Sequence, residues 1–284
     1  MNPDRYFVLG HPVAHSHSPF IHAAFAAQTG QQLHYDRRLC PLDGFEAAVQ
    51  ALAADTDGGP VRGCNVTLPF KREALRVATG ASARAHQAGA ANVLSFDGAQ
   101  WQADNTDGAG LVRDLHQHAG WSVRGQQVLL VGAGGAAAGV LGPVLECGPA
   151  RVVVANRTPD KARSLVQAHR DLAARHGVQL QATGLEHPGR AFDLVLNASA
   201  SSLAGPQIPV PDSVLRPGTL AVDLMYGPAA AAFVAWARRH GAIARDGLGM
   251  LVEQAAEAFW VWRGVRPDTA PVLRALSERV GTAS

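Results

Sequence analysis

The chain has 284 residues, 47% of them hydrophobic and 17% charged, with a formal net charge of +2. That length favours two domains, each able to bury a core, and the composition excludes a disordered or fibrous chain. A balance this close to neutral, with no Lys/Arg run, argues against a nucleic-acid partner. Cys40, Cys64 and Cys147 are scattered, form no Cys-x-x-Cys and read as reduced thiols.

Tyr6-Phe7-Val8-Leu9 reads as a first strand, closed by Gly10-His11-Pro12. No basic segment with an apolar core precedes it, so a cytoplasmic location is expected. His15-Ser16-His17-Ser18-Pro19 leads into a helix from Phe20 to Thr29, with Ser18 as its N-cap and proline at the first helical position. His11, His15, His17 and His22 fall across a strand end, a loop and a helix, with no carboxylate or cysteine among them, so no metal is expected.

Leu33 to Leu39 reads as a second strand and Leu42 to Ala54 as a helix, with Phe45, Val49 and Leu52 at helical spacing. Val61 to Thr67 is a strand whose alternation puts Asn65 and Thr67 on one face. Lys71 then stands at a helix start, where the dipole disfavours a cation, which points to a functional lysine. Ser82 to Ala88 is helical, and Ala91 to Phe96 is a strand that carries Asn92 and turns at Asp97-Gly98. Asp104-Asn105-Thr106-Asp107-Gly108 opens a helix from Ala109 to about Ala119. Turn chemistry accounts for one of those carboxylates, not for both beside Asn92.

Gln127 to Val131 is an apolar run suited to a buried strand. It enters Gly132-Ala133-Gly134-Gly135-Ala136, then an Ala/Val/Leu-rich helix to about Cys147 and a second apolar run from Arg151 to Ala155. Strand, glycine turn, helix and strand make a βαβ unit of Rossmann type, whose glycines let a pyrophosphate approach the helix amides. The uncharged stretch from Gly125 to Leu145 could be long enough to span a bilayer, but its glycines and Pro143 fit the turn and not a membrane helix. After the second strand stand Asn156, Arg157 and Thr158, with Lys161 a turn on, where an NAD-binding unit usually has Asp or Glu. A guanidinium there pairs with a 2′-phosphate, so the cofactor is expected to be NADP.

The βα rhythm continues with a helix from Asp160 to His176, a strand from Val178 to Ala182 and another from Phe192 to Asn197, which ends in small residues from Ala198 to Ser202. Leu220 to Tyr226 is a strand, Pro228 to His240 a helix, Ala242 to Ala244 a short strand and Asp246-Gly247-Leu248-Gly249 a hinge-like turn. Helices from Met250 to Arg263 and from Thr269 to Val280 complete the chain, packing back on the N-terminal part.

These segments together resemble the shikimate dehydrogenase family over nearly the whole chain. The resemblance rests on His15-Ser16-His17-Ser18-Pro19, Asn65 to Lys71, Asn92, Asp104 to Gly108, Gly132 to Ala136, Asn156-Arg157-Thr158, Asp223 to Tyr226 and Asp246 to Gln254. It implies an α/β, two-lobed protein: an N-terminal α/β substrate domain of residues 1–105 with 246–284, and a doubly wound Rossmann NADP-binding domain of residues 106–245. It implies NADPH-dependent reduction of 3-dehydroshikimate to shikimate, in the pathway to aromatic amino acids, at a site between the lobes. A quinate/shikimate dehydrogenase with relaxed cofactor use is the alternative, and Arg157 speaks against NAD. Residues matching Ser16, Ser18, Asn65, Thr67, Lys71, Asn92, Asp107, Tyr226 and Gln254 line the family's substrate site. Those matching Gly132, Ala133, Gly134, Gly135, Ala136, Asn156, Arg157, Thr158 and Lys161 hold its cofactor, with Leu224, Gly247 and Met250 near the nicotinamide. Lys161 replaces a second arginine of many members, and Leu224 a methionine of some. Lys71 and Asp107 are the expected catalytic pair, the lysine acting as proton donor or as fixed charge on a developing alkoxide. The expected partners are the small-molecule substrate and cofactor, with no nucleic acid and no membrane, in a monomer or homodimer.

Overall fold

The computed structural model describes residues 2–199 and 208–281. Ala200, Ser201 and Ser202, read from the sequence as part of a small-residue strand end, lie outside the described residues. The chain divides into two compact units, one of Met1–Gly110 with Val252–Leu276 and one of Leu111–Leu251 with Ser277–Ser284. All three internal boundaries fall inside helices, α5 (Asp107–Arg113), α10 (Leu248–Arg263) and α11 (Ala270–Val280).

The first unit is built on strands β1 (Asp4–Gly10), β2 (Leu33–Leu39), β3 (Val61–Val66), β4 (Gly80–Ala81), β5 (Val93–Asp97) and β6 (Gln100–Asp104). They form one mixed sheet in the order β2-β1-β3-β5-β6-β4. β1 runs parallel to β2 and β3, and the Asp97-Gly98 turn makes β5 and β6 antiparallel. Period-two alternation sends Phe7 and Leu9 of β1 into a core with Phe45, Val49, Phe70 and Leu94. Tyr6 and Val8 join Tyr35 and Trp262 in a separate cluster. Gly63 is required in β3, because a Cβ there would stand 2.4 Å from the Leu94 carbonyl oxygen and 2.7 Å from Trp262 Nε1. That bare position lets the Trp262 indole donate across the strand to the Leu94 carbonyl at 3.2 Å.

The second unit carries β7 (Gln127–Val131), β8 (Arg151–Ala155), β9 (Gln179–Thr183), β10 (Leu194–Asn197), β11 (Leu220–Asp223) and β12 (Ile243–Arg245). All pairs are parallel, in the order β9-β8-β7-β10-β11-β12. This is the doubly wound arrangement, and chain order reverses between β7 and β10, where such sheets open a ligand crevice. Val128, Leu130, Val152 and Val154 face one apolar layer and Leu129, Val131 and Val153 the other, as expected of strands buried on both faces.

Several boundaries differ from the sequence reading, each for a local reason. Ser18 is the first residue of α1 (Ser18–Thr29), with His17 at the N-cap and no side-chain cap, because Ser18 Oγ is taken up with Ser16. The segment read as one helix from Asp160 to His176 breaks at buried His169 into α7 (Pro159–Ala168) and α8 (Arg170–Arg175). There the imidazole Nδ1 lies 3.0 Å from the Leu165 carbonyl that an α-helix would give to the His169 amide. β11 stops at Asp223, whose carboxylate accepts from the Met225 amide at 2.9 Å and turns the chain before Tyr226. Pro228 lies in a single 3-10 turn, Gly227–Ala229, and the helix proper is α9 (Ala231–Arg239). Leu248 and Gly249, read as part of a hinge-like turn, are already helical. A Cβ on Gly249 would meet Asp114 Oδ1 at 1.9 Å, so the glycine serves close packing.

Candidate active site

Lys71 opens helix α3 (Lys71–Val77) just past the end of β3, and Asp107 opens α5. Their side chains meet, Nζ to Oδ2 at 2.5 Å, with only 16% and 6% of the two side chains exposed. The other carboxylate oxygen, Oδ1, accepts from Asn92 Nδ2 at 2.9 Å. Asn92 sits before β5 with its amide oriented by Thr106, whose backbone N–H donates to Asn92 Oδ1 at 2.7 Å. The Asn92 amide nitrogen also reaches Thr106 Oγ1 at 2.9 Å and Gln254 Oε1 at 3.1 Å. Gly110 lets α5 approach α10 this closely, since a Cβ there would lie 2.6 Å from the Gln254 backbone nitrogen. The Asp107 amide itself donates to Asn105 Oδ1 at 3.1 Å, a turn contact that fixes the carboxylate at the helix start.

A second group of side chains continues this network. Ser16 Oγ donates to Ser18 Oγ at 3.2 Å. Asn65 Nδ2 donates to the Asn92 carbonyl at 3.2 Å, while Asn65 Oδ1 accepts from the Tyr35 hydroxyl at 2.6 Å. Thr67 is half-buried, with its methyl seated over Gly10, where a Cβ would come within 2.3 Å. His22, 1% exposed, lies flat on Tyr35 with ring centroids 4.1 Å apart. Burial pushes its pKa down to about 3, so the ring is neutral. Among the described residues no group of three or more His, Cys, Asp or Glu side chains could hold a metal ion.

The two carboxylates of Asp104-Asn105-Thr106-Asp107 have different partners. Asp104 accepts from Arg84 at 2.6 and 2.7 Å and from Ser82 at 2.5 Å, and Arg84 also reaches Glu257 at 2.8 Å. Burial pushes the Asp104 carboxyl up, but the hydrogen bonds from Arg84 and Ser82 outweigh it and hold it below the usual range. Asp104 thus braces the segment that presents Asp107. Tyr35, Thr106 and Arg84 were not singled out from the sequence, since each gains its place through a partner far along the chain.

In the second unit β7 runs into Gly132, whose φ is +111° and whose Cβ would crowd the Ala198 carbonyl oxygen at 2.9 Å. The helix α6 (Gly135–Glu146) follows, with Gly134 at its N-cap and no side-chain cap. A Cβ on Gly134 would meet nothing within 4 Å. Ala133 is buried and Ala136 lies in the first helical turn. First-turn amides next to open space suit a pyrophosphate. At the end of β8, Arg157 and Thr158 are exposed, as is Lys161, and Asn156 Nδ2 donates to the Thr158 carbonyl at 2.9 Å. The residues of the turn and of this strand end therefore fit a phosphorylated dinucleotide. Gly247 lies against Leu224, its missing Cβ 2.4 Å from the Leu224 carbonyl oxygen. Met250 is 8% exposed in the apolar core of this unit, and half-buried Tyr226 has its phenol pKa raised by burial.

Residues 8–94 match the family model of the shikimate dehydrogenase substrate binding domain, 114–204 that of shikimate / quinate 5-dehydrogenase and 247–276 that of the shikimate 5'-dehydrogenase C-terminal domain. The chain is 63% identical to shikimate dehydrogenase (NADP(+)) of Methylibium petroleiphilum, over 96% of this chain and 94% of that protein. The chain belongs to the shikimate dehydrogenase family. A relative of the same name from Acidovorax sp. is 59% identical over 99% of this chain and 98% of its own. Among solved structures, shikimate 5-dehydrogenase from Thermus thermophilus, in complex with NADP(H) and shikimate, is 32% identical. It superposes with a TM-score of 0.84, covering 98% of this chain and 99% of that one. The family thus accounts for both sheets. No helix among the described residues is long and apolar enough to cross a membrane.

Proposed function

We propose that this protein reduces 3-dehydroshikimate to shikimate with NADPH, a step of the shikimate pathway of aromatic amino acid biosynthesis. The observation that carries this reading is the Lys71–Asp107 pair, held at 2.5 Å inside a ring of amides and hydroxyls in a chain of this family. Ser16, Ser18, Asn65, Thr67, Asn92 and Gln254 offer the donors and acceptors that a ring bearing hydroxyls and one carboxylate requires, and Tyr226 adds a phenol. The unit of Met1–Gly110 with Val252–Leu276 would hold the substrate, and the other unit NADP, through Gly132 to Ala136, Asn156, Arg157, Thr158 and Lys161. Leu224, Gly247 and Met250 would bound the nicotinamide.

When bound, the cofactor supplies the hydride for the ketone carbon. The carbonyl electron pair then moves onto oxygen, and the chain must provide a proton or a charge there. Lys71 provides it from Nζ, and Asp107 Oδ2 holds that ammonium in place. Asn92 keeps Asp107 aimed by occupying Oδ1, so the carboxylate cannot rotate without losing a buried hydrogen bond.

Arg157 favours the 2′-phosphate of NADP over NAD. Mixing the protein with 3-dehydroshikimate and NADPH and following the fall in reduced-cofactor absorbance tests the proposal. Rapid decay with NADPH, slower decay with NADH and poor oxidation of quinate with NADP are expected. No turnover of 3-dehydroshikimate would overturn the reading.

A further inference from the structure

The polar residues of the first unit form a single chain of contacts from Ser16 to Lys71. Ser16 gives its hydroxyl to Ser18, and the Ser18 hydroxyl lies beside the Tyr35 phenol. Tyr35 donates to Asn65 Oδ1 at 2.6 Å, and Asn65 Nδ2 reaches the Asn92 carbonyl at 3.2 Å. Asn92 Nδ2 reaches Asp107 Oδ1 at 2.9 Å, and Asp107 Oδ2 holds Lys71. Tyr35 joins the serine end to the amide end, and it comes from the edge strand β2, otherwise mostly exposed.

An asparagine amide can present either its oxygen or its NH2 group at nearly the same place, and the network decides which. At Asn65 the Asn92 carbonyl, which can only accept, takes the nitrogen, and the Tyr35 hydroxyl given to Oδ1 holds the oxygen in the same sense. Tyr35 is itself held by stacking. The His22 ring lies 3° from parallel at 4.1 Å, and Trp262 stands 6.4 Å away on a tilted approach. Neither His22 ring nitrogen makes a hydrogen bond among the described residues, so His22 serves as a flat wall.

We propose that Tyr35 is a positioning residue for the substrate, acting through Asn65 by anchoring its amide oxygen and so the direction in which its second N–H reaches substrate acceptors. This rests on the proposed assignment of Asn65 and Ser18 to the substrate site. Tyr35→Phe removes the hydrogen bond to Asn65 Oδ1 and leaves the ring stack intact.

The test is a double-mutant cycle of Tyr35→Phe and Asn65→Ala, read in shikimate oxidation with NADP. Wild-type turnover by itself reports on the proposed function. Tyr35→Phe should raise the KM for shikimate roughly three- to tenfold, the range of one neutral hydrogen bond, and leave kcat and the KM for NADP nearly unchanged. In the Asn65→Ala background the same substitution should have almost no effect. An equal loss in both backgrounds, or a parallel rise in both Michaelis constants, would overturn the proposal in an active enzyme. If Tyr35→Phe does not fold, the chain's three tyrosines allow a direct measurement. In enzyme labelled with 3-fluorotyrosine, the fluorine resonance that persists in both Tyr6→Phe and Tyr226→Phe belongs to Tyr35. It should shift on adding shikimate alone and stay in place on adding NADP alone. A resonance that ignores shikimate would overturn the assignment.

Discussion

His22 gives a sharp prediction about stability and pH. Its ring is 1% exposed among Phe25, Tyr35, Phe259 and Trp262. Burial lowers its pKa from 6.5 to about 3, against a weaker opposing pull from the adjacent Asn65 side chain. The folded value lies below the unfolded one, so between the two the unfolded chain binds the extra proton, and stability falls as pH falls. From about pH 7.5 to about pH 5 the unfolded ring takes up nearly a full proton and the folded ring almost none. This costs about 2 kcal/mol. His22→Phe keeps an aromatic ring on Tyr35, and neither imidazole nitrogen lies within hydrogen-bond geometry of a partner among the described residues. Urea unfolding of both proteins at the two pH values, with the transition of the first unit fitted separately, measures the difference. Wild type should lose about 2 kcal/mol more than the variant on acidification. Equal losses would show that His22 is not a buried neutral group.

The site itself supports three further tests. Lys71→Ala should lower kcat at least ~100-fold, as expected for lost acid–base catalysis; a rise in KM with kcat preserved would reduce Lys71 to a binding residue. Arg157→Ala should raise the KM for NADP about ten- to a hundredfold and leave that for NAD nearly unchanged, given about 1.5–3 kcal/mol for a charged hydrogen bond. Equal losses with both cofactors would remove Arg157 from the 2′-phosphate. Asp104→Asn should destabilise the first unit by about 1–3 kcal/mol at neutral pH, a range reduced for the partial exposure of Arg84. Because the folded Asp104 carboxyl is held low, that deficit should narrow in chemical denaturation as pH falls below the ordinary carboxylate range.

What the sequence disclosed and what it concealed separate along one physical line. The glycine turn after β7 is legible because its demands are local: a positive φ at Gly132, a bare approach at Gly134 and a helix directly after them. Arg157 is legible for the same reason, since strand β8 delivers it to a place set by the turn. Lys71 and Asp107 were named from their helix starts and the family motif, although only folding brings Nζ to Oδ2. Asp104 and Asp107 look alike in the chain, three residues apart around one turn. Arg84, twenty residues earlier, claims the first and leaves the second to Lys71.

Tyr35 carries no local mark. It is the one buried residue of a strand that otherwise reads as solvent-facing, and its hydrogen-bond partner lies thirty residues on. In the sequence His22 looks no different from His11, His15 and His17, but its surroundings are aromatic rings supplied by β2 and α10. The residues a sequence hides are those whose chemistry is defined by a neighbour and not by the chain on either side. In an enzyme these are the groups that orient the reacting residues. The Lys71–Asp107 pair and Asn65 can be named from motifs, but the Tyr35 phenol that bonds Asn65 emerges only when β2 and β3 are brought together.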